Sequence, residues 1–236
     1  IRRTDYVSST RLRKDLRRFW NARARLKDEL TSGVTVLGSF QGDKEKIDKE
    51  TRSEVEMILK AADDPLGKTL LDLGCGDGRQ LGQLYLHFDR VVGVDFAKSL
   101  LELAKQRINA SGNSVELVEA DVSEYMTDER FDIILLSGII PCLDDRQMKQ
   151  IITNLKAMSK PDSKLLVRSS IGLQERINVV NQFSQDLKER YTAYYRTTTQ
   201  IVESFLNQGW INTQEKMLYQ HQKDTAVWWF EFERTT

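Results

Sequence analysis

Two kinds of apolar run alternate along the chain. Short blocks such as Thr69-Leu70-Leu71-Asp72-Leu73, Arg90-Val91-Val92-Gly93-Val94-Asp95 and Phe131-Asp132-Ile133-Ile134-Leu135-Leu136-Ser137-Gly138 are nearly continuous in apolar residues. That is the pattern of strands buried on both faces of a parallel sheet. Residues 115–122 and 164–168 read as two further strands. Between the blocks, apolar residues return every three or four positions, the helical period. Leu100, Leu101, Leu103, Ala104 and Ile108 mark a helix over 97–110, closed by Ser111-Gly112-Asn113. Helices are also expected over 80–88 and 144–158, the latter followed by the turn Lys160-Pro161-Asp162-Ser163. Residues 198–208 read as another helix, closed by Gly209, and the stretches 210–219 and 226–234 as two strands joined by 220–225. Strand–helix alternation of this kind predicts an α/β fold, a doubly wound sheet of mostly parallel strands with helices on both faces.

Two stretches stand outside this alternation. Residues 1–64 are expected to form a helical cap ahead of the main domain, 65–236. Its first helix is marked by Leu12, Leu16, Phe19, Trp20 and Leu30, and its second by Ile47, Thr51, Val55, Ile58, Leu59 and Ala62. A glycine-bearing hinge over 31–43 separates them, and Asp63-Asp64-Pro65-Leu66-Gly67 breaks the chain before the first strand. The second stretch, 169–197, is longer than a strand-to-helix connection needs. Leu173, Ile177, Val180, Phe183, Leu187 and Tyr191 give it a helical period, so an inserted helix after strand five is expected, followed by the polar-aromatic cluster Tyr191, Tyr194, Tyr195 and Arg196.

The first strand runs into Gly74-Cys75-Gly76-Asp77-Gly78-Arg79 and then a helix. Alternate glycines let a backbone turn sharply and approach a ligand, and a helix N-terminus offers unpaired N–H groups. A dinucleotide loop has the spacing G-x-G-x-x-G/A and receives a pyrophosphate. Here the spacing is G-x-G-x-G, and Asp72 and Asp77 would repel a pyrophosphate. Two carboxylates suit a ligand with an ammonium group, a cationic sulfonium and no phosphate, namely S-adenosylmethionine. No Gly-Lys-Ser/Thr follows, which excludes a phosphate loop of the Walker type.

This stretch resembles motif I of the class I S-adenosylmethionine-dependent methyltransferases, and the resemblance runs in order over roughly residues 66–170. It implies a seven-stranded sheet with an antiparallel C-terminal strand. It also implies cofactor contacts from Asp72, Gly74, Cys75, Gly76 and Gly78 in the loop. Asp95 at the end of strand two would receive the ribose hydroxyls, Phe96 would lie against the adenine, Asp121 and Val122 after strand three would meet the adenine, and Ser137 would mark the active-site end of strand four. In this family a segment before motif I often folds over the active site, and an insertion over the carboxyl end of the sheet often shapes the acceptor pocket. Tyr6, Trp20, Tyr191, Tyr194 and Arg196 are the corresponding candidates for acceptor binding.

Charge sharpens the choice of acceptor. The chain has 35 basic and 35 acidic residues, so no overall field draws it to polyanions. The residues Arg11, Arg13, Lys14, Arg17, Arg18, Arg23, Arg25 and Lys27 concentrate positive charge on the first helix. A small-molecule acceptor is expected, with a nucleic acid (RNA) as the alternative partner reached through that helix. A SAM-binding module without catalysis is a third alternative. Two cysteines, Cys75 and Cys142, point to a reducing, cytoplasmic location. No apolar run approaches a membrane span, and a monomer or homodimer is expected.

Methyl transfer from a sulfonium asks the protein to orient the acceptor and exclude water. A general base is needed only for a hydroxyl or protonated amine. Tyr194, Tyr195 and His221 are the candidates, with Asp144 and Asp145 behind them; no metal is expected. Strand four ends in Ser137-Gly138-Ile139-Ile140 rather than Asn/Asp-Pro-Pro-Tyr/Phe, which argues against amine methylation of bases. Pro141-Cys142 lies several residues past the strand, so a turn explains it better than a cytosine-attacking thiolate.

Overall fold

The computed structural model describes residues 16–22, 24, 44–108, 115–184 and 189–234. Helices are α1 (16–22), α2 (Lys44–Ala62), α3 (Leu81–Leu84), α4 (Lys98–Arg107), α5 (Asp145–Met158) and α6 (Thr198–Leu206). Strands are β1 (Thr69–Leu73), β2 (Arg90–Asp95), β3 (Val115–Glu119), β4 (Phe131–Ser137), β5 (Ser159–Gly172), β6 (Ile177–Ser184), β7 (Glu189–Tyr195), β8 (Trp210–Gln222) and β9 (Thr225–Arg234). Seven of them form one sheet in the order β3-β2-β1-β4-β5-β9-β8. β1 to β5 pair in parallel, β9 runs antiparallel to β5, and β8 antiparallel to β9. The order reverses between β1 and β4, which opens a crevice at the carboxyl ends of those strands, where ligands bind in such sheets.

Both faces of the sheet are covered, which is why β1, β2 and β4 carry so few polar residues. Val55, Ile58, Ala61 and Ala62 of α2, Leu81 and Leu84 of α3, and Leu101 and Ala104 of α4 pack on one face. Met148, Ile151, Ile152 and Leu155 of α5 with Ile201 and Phe205 of α6 pack on the other. Asp144 starts α5 with a capping box: its side chain accepts the Gln147 N–H, and the Gln147 side chain accepts its N–H. Gly209, at φ 79°, follows α6 in the left-handed conformation that closes a helix.

The stretch 169–197 is not an inserted helix. β5 runs on to Gly172, and β6 and β7 form a separate antiparallel pair. The helical period there was built partly from Val180 and Phe183, which are exposed, whereas Val179 and Ala193 face inward. Asn181, at φ 50°, marks a bulge in the ladder between Val179 and Gln182. One extra residue turns a period of two into a mimic of three to four, and the β-branched and aromatic content favours strands. Leu187 lies outside the described residues. Two smaller departures concern lengths. The helix expected over 80–88 is a single turn, α3. The turn at 160–163 is an irregular start of β5, with Asp162 at φ 62°.

Of the N-terminal cap, α2 is an integral layer of the core. α1 docks on α4: Trp20 and Ala24 bury against Ala97 and Leu100, and the Asn21 side chain accepts the Ser99 N–H at 3.1 Å.

Candidate active site

β1 delivers the chain to the crevice at Leu73. Gly74 and Cys75 then donate their N–H groups to the Val94 carbonyl at 2.8 and 3.1 Å, tying the loop to β2. Gly74, Gly76 and Gly78 all have positive φ, at 85°, 56° and 71°. A Cβ on Gly74 would lie 2.7 Å from Ile139 Cδ1, and one on Gly78 would lie 2.8 Å from Ala104 Cβ. The third glycine therefore serves close packing of the loop on α4.

Two buried carboxylates flank this loop. Asp95 accepts the Gly76 N–H at 3.0 Å and the Ala97 N–H at 2.8 Å, one on each oxygen. Burial pushes its carboxyl up to about 6 against the pull of the amides of Ala97, Gly76 and Phe96. Asp72 is 1% exposed, and its Oδ1 has no hydrogen-bond partner among the described residues. Burial first, and then repulsion from Asp95, raise it to about 7, while Arg79 draws it down. An unpartnered buried carboxylate in a ligand crevice is half of an interaction: a cation would complete it.

The other motif residues lie at or after the carboxyl ends of β2, β3 and β4. Phe96 faces α1, with the Arg17 guanidinium carbon 5.8 Å from its ring centre. Asp121 accepts the Ser123 N–H at 3.0 Å and its hydroxyl at 2.7 Å, shaping the turn after β3, and Val122 is buried. Ser137 Oγ accepts from Gln80 Nε2 at 3.0 Å. Cys75 is buried and Cys142 half-buried, and neither is in a disulfide. Burial, and then Asp95, push the Cys142 thiol up to about 12, the opposite of an activated nucleophile.

A polar cluster not foreseen from the sequence sits between α2 and the carboxyl ends of β4 and β5. Glu54 Oε2 accepts from Arg79 at 2.9 Å and from Gln80 at 2.8 Å. Its Oε1 lies 2.6 Å from Arg168 Nε, an ion pair whose atoms are not aligned as a hydrogen bond. Arg79 also donates to Thr51 at 2.7 Å, and Arg168 to the Tyr219 hydroxyl at 2.8 Å. The available signal was a carboxylate on the apolar face of α2, between Thr51 and Ile58: buried there, it requires cations.

On the acceptor side the candidates divide. Arg196 is 2% exposed and fully engaged: it bonds Asp145 at 2.7 Å and the carbonyls of Leu143 and Ile140 at 2.9 and 3.2 Å. It braces the 3₁₀ turn Ile140–Cys142 and the start of α5. Tyr194 lies between Arg176 and Arg196, whose guanidinium carbons are 5.8 and 6.0 Å from its ring centre. Tyr191 and Tyr195 share the opposite side of β7. Burial, then Tyr191, raise the Tyr195 phenol; burial, then Asp144, raise that of Tyr194, so neither is a ready base. Trp20 is packed into the α1–α4 contact. His221 falls on β8, the edge strand, away in sequence and topology from β7. Tyr6 lies outside the described residues. Among those residues no cluster of three metal-ligating side chains occurs, and no helix is long and apolar enough to cross a membrane.

A family model described as a methyltransferase domain matches residues 70–162, from β1 into β5. Over this stretch the chain is similar to methyltransferase domains. Phosphoethanolamine N-methyltransferase 1 of Triticum aestivum is 27% identical over 161 residues, 67% of this chain and 30% of that protein. The ubiquinone biosynthesis O-methyltransferase of Coxiella burnetii is 34% identical over 100 residues, 42% of either chain. The chain thus spans well under half the length of these curated relatives. Among solved structures, the 1,6-didemethyltoxoflavin-N1-methyltransferase of Burkholderia thailandensis, with bound 1,6-didemethyltoxoflavin and S-adenosylhomocysteine, superposes with a TM-score of 0.73 at 16% identity, covering 99% of this chain and 93% of that one. The chain therefore shares the fold of that methyltransferase.

Proposed function

We propose that this chain transfers a methyl group from S-adenosylmethionine to an oxygen or nitrogen of a small-molecule acceptor. The observation that carries the reading is Asp72, a buried carboxylate with an unpartnered oxygen beside a glycine loop. An ammonium group fits it. Each Asp95 oxygen accepts one amide and keeps a lone pair for a ribose hydroxyl. When bound, the cofactor supplies a methyl carbon already activated by sulfonium.

The chain's own work is to hold, orient and exclude water. The loop and Asp95 fix one end, Glu54, Arg79 and Gln80 back the other, and α1 with the β6–β7 pair walls the crevice. With the cofactor held by Asp72, Asp95 and the glycine loop, the lone pair of an acceptor oxygen or nitrogen would take the methyl group with loss of the C–S bond, and the acceptor's proton would leave to water or a basic group on the acceptor. α1, docked on α4 with Arg17 over the Phe96 ring, serves as the cap over this end of the crevice. Two free thiols fit a cytoplasmic setting. Small-molecule relatives of both N- and O-methylating kinds support the acceptor class.

The test is transfer of labelled methyl from S-adenosylmethionine into fractionated cell extract, with Asp95→Ala as control. Label in the low-mass fraction, and roughly 1–3 kcal/mol weaker cofactor binding in the variant, are expected. Label in RNA would move the acceptor to nucleic acid, and unchanged affinity in Asp95→Ala would sink the ribose assignment.

A further inference from the structure

We propose that Glu54 is a positioning residue for the amino-acid half of the cofactor. It stands on α2, outside the segment that matches the methyltransferase family, and one carboxylate joins four elements. Oε2 takes Arg79 and Gln80 at the exit of the glycine loop, Gln80 carries the link to Ser137 at the end of β4, and Oε1 meets Arg168 of β5. Arg168 passes the connection to Tyr219 of β8. Ser137 and Arg168 are register partners, so the cluster spans the β4–β5 seam.

The burial of this cluster makes it rigid. Side-chain exposure is 3% for Glu54, 8% for Arg168 and 16% for Arg79. A buried carboxylate between two guanidiniums cannot be removed without leaving both short of a counter-charge. Without Glu54, among the described residues the Arg79 side chain keeps only its bond to Thr51, and the Gln80 side chain only its bond to Ser137. Arg79 also acts on Asp72, whose carboxyl it draws down. The position of Asp72's charged neighbour therefore depends on Glu54.

The sheet order separates this effect from the adenosine end. Asp95 and Asp121 follow β2 and β3, on one side of β1; Ser137 and Arg168 lie on β4 and β5, on the other. A ligand whose ribose met Asp95 and whose ammonium met Asp72 on β1 would run from the β2 side toward β4 with its amino-acid end leading. Loss of Glu54 thus loosens the amino-acid end and spares the adenosine end. A role in general stability would affect both.

This inference rests on the S-adenosylmethionine reading, and one titration series separates the two. S-Adenosylhomocysteine and adenosine are titrated calorimetrically into the wild-type chain, Glu54→Gln and Gln80→Met, well below each melting temperature. Glu54→Gln should bind S-adenosylhomocysteine about tenfold or more weakly, roughly 1.4 kcal/mol per tenfold, with adenosine within about twofold of wild type. Gln80→Met should show the same asymmetry at smaller size, and it decides the matter if Glu54→Gln does not fold. Equal weakening of both ligands, or no weakening of either, overturns the positioning role. A wild-type chain that binds neither ligand overturns the cofactor reading and this inference with it.

Discussion

On the β1–β2 side of the crevice, carboxylates are held by the backbone of their own motifs. Asp95 takes the amides of Gly76 and Ala97, and Asp121 takes those of the turn two residues on. On the β7–α5 side, charges are held by one another across long stretches of chain. Arg196 reaches back to Asp145 and to the carbonyls of Ile140 and Leu143, and Arg176 takes the other oxygen of Asp145. The difference has a chemical consequence. A carboxylate caught by amides keeps lone pairs for a ligand. A guanidinium that satisfies carbonyls and a carboxylate has become part of a wall.

The largest effect that tests this contrast is on the wall. Arg196→Met leaves two carbonyls short of donors and should cost roughly 2–4 kcal/mol of stability, read as a lower melting temperature. Its affinity for S-adenosylhomocysteine should stay within about twofold of wild type. A large loss of affinity would mean the two sides are one unit.

Asp72 breaks the contrast from the other direction, because its charge is uncompensated. Its carboxyl titrates at about 7 when folded against a reference of 3.8. A raised acid pKa means the folded state binds the extra proton between those values, so Asp72's contribution to stability declines as pH rises from about 4 and is at its worst above 7. The full penalty is on the order of 4 kcal/mol. Asp72→Asn removes it but leaves an amide to satisfy at about 2–3 kcal/mol, so a net gain of about 1–2 kcal/mol at pH 8 is expected, turning into a net loss of about 2–3 kcal/mol toward pH 4, together with weaker cofactor binding. A melting temperature in which the variant and wild type run parallel from pH 4 to 8 would contradict the assignment. The smallest effect should come from Cys142→Ser. Its thiol is held protonated beside Asp95, so methyl transfer should stay within about twofold; complete loss would restore a covalent role.

The same contrast explains what could be read in advance. β1, β2 and β4 and the glycine turn after β1 were legible because each is encoded within a dozen neighbouring positions, and the strands are buried on both faces. The helix 144–158 was legible from its own apolar period, and α5 spans Asp145–Met158. The β6–β7 pair was misread because the bulge at Asn181 shifts the period and because Val180 and Phe183 face solvent. The engagement of Arg196 was hidden for another reason: its partner lies 51 positions away, and no local pattern records it. Glu54 fell between: its helix face was visible, while Arg79 and Arg168 as its partners were not.

β9 lies between β5 and β8 in the sheet, although it is the last of the nine strands in sequence. β5 ends at Gly172, and its partner Thr225 opens β9. During synthesis at about 5–20 residues per second, the ribosome needs roughly three to ten seconds to pass from one to the other. For that interval the β5 edge, with Leu165, Leu166 and Val167, is an unpaired template for any passing strand. β8 emerges first but has only β9 to pair with, so it cannot protect that edge alone. Completion of the sheet therefore waits on residues 225–234. A nascent chain stalled before them presents the aggregation-prone edge that the finished molecule never shows.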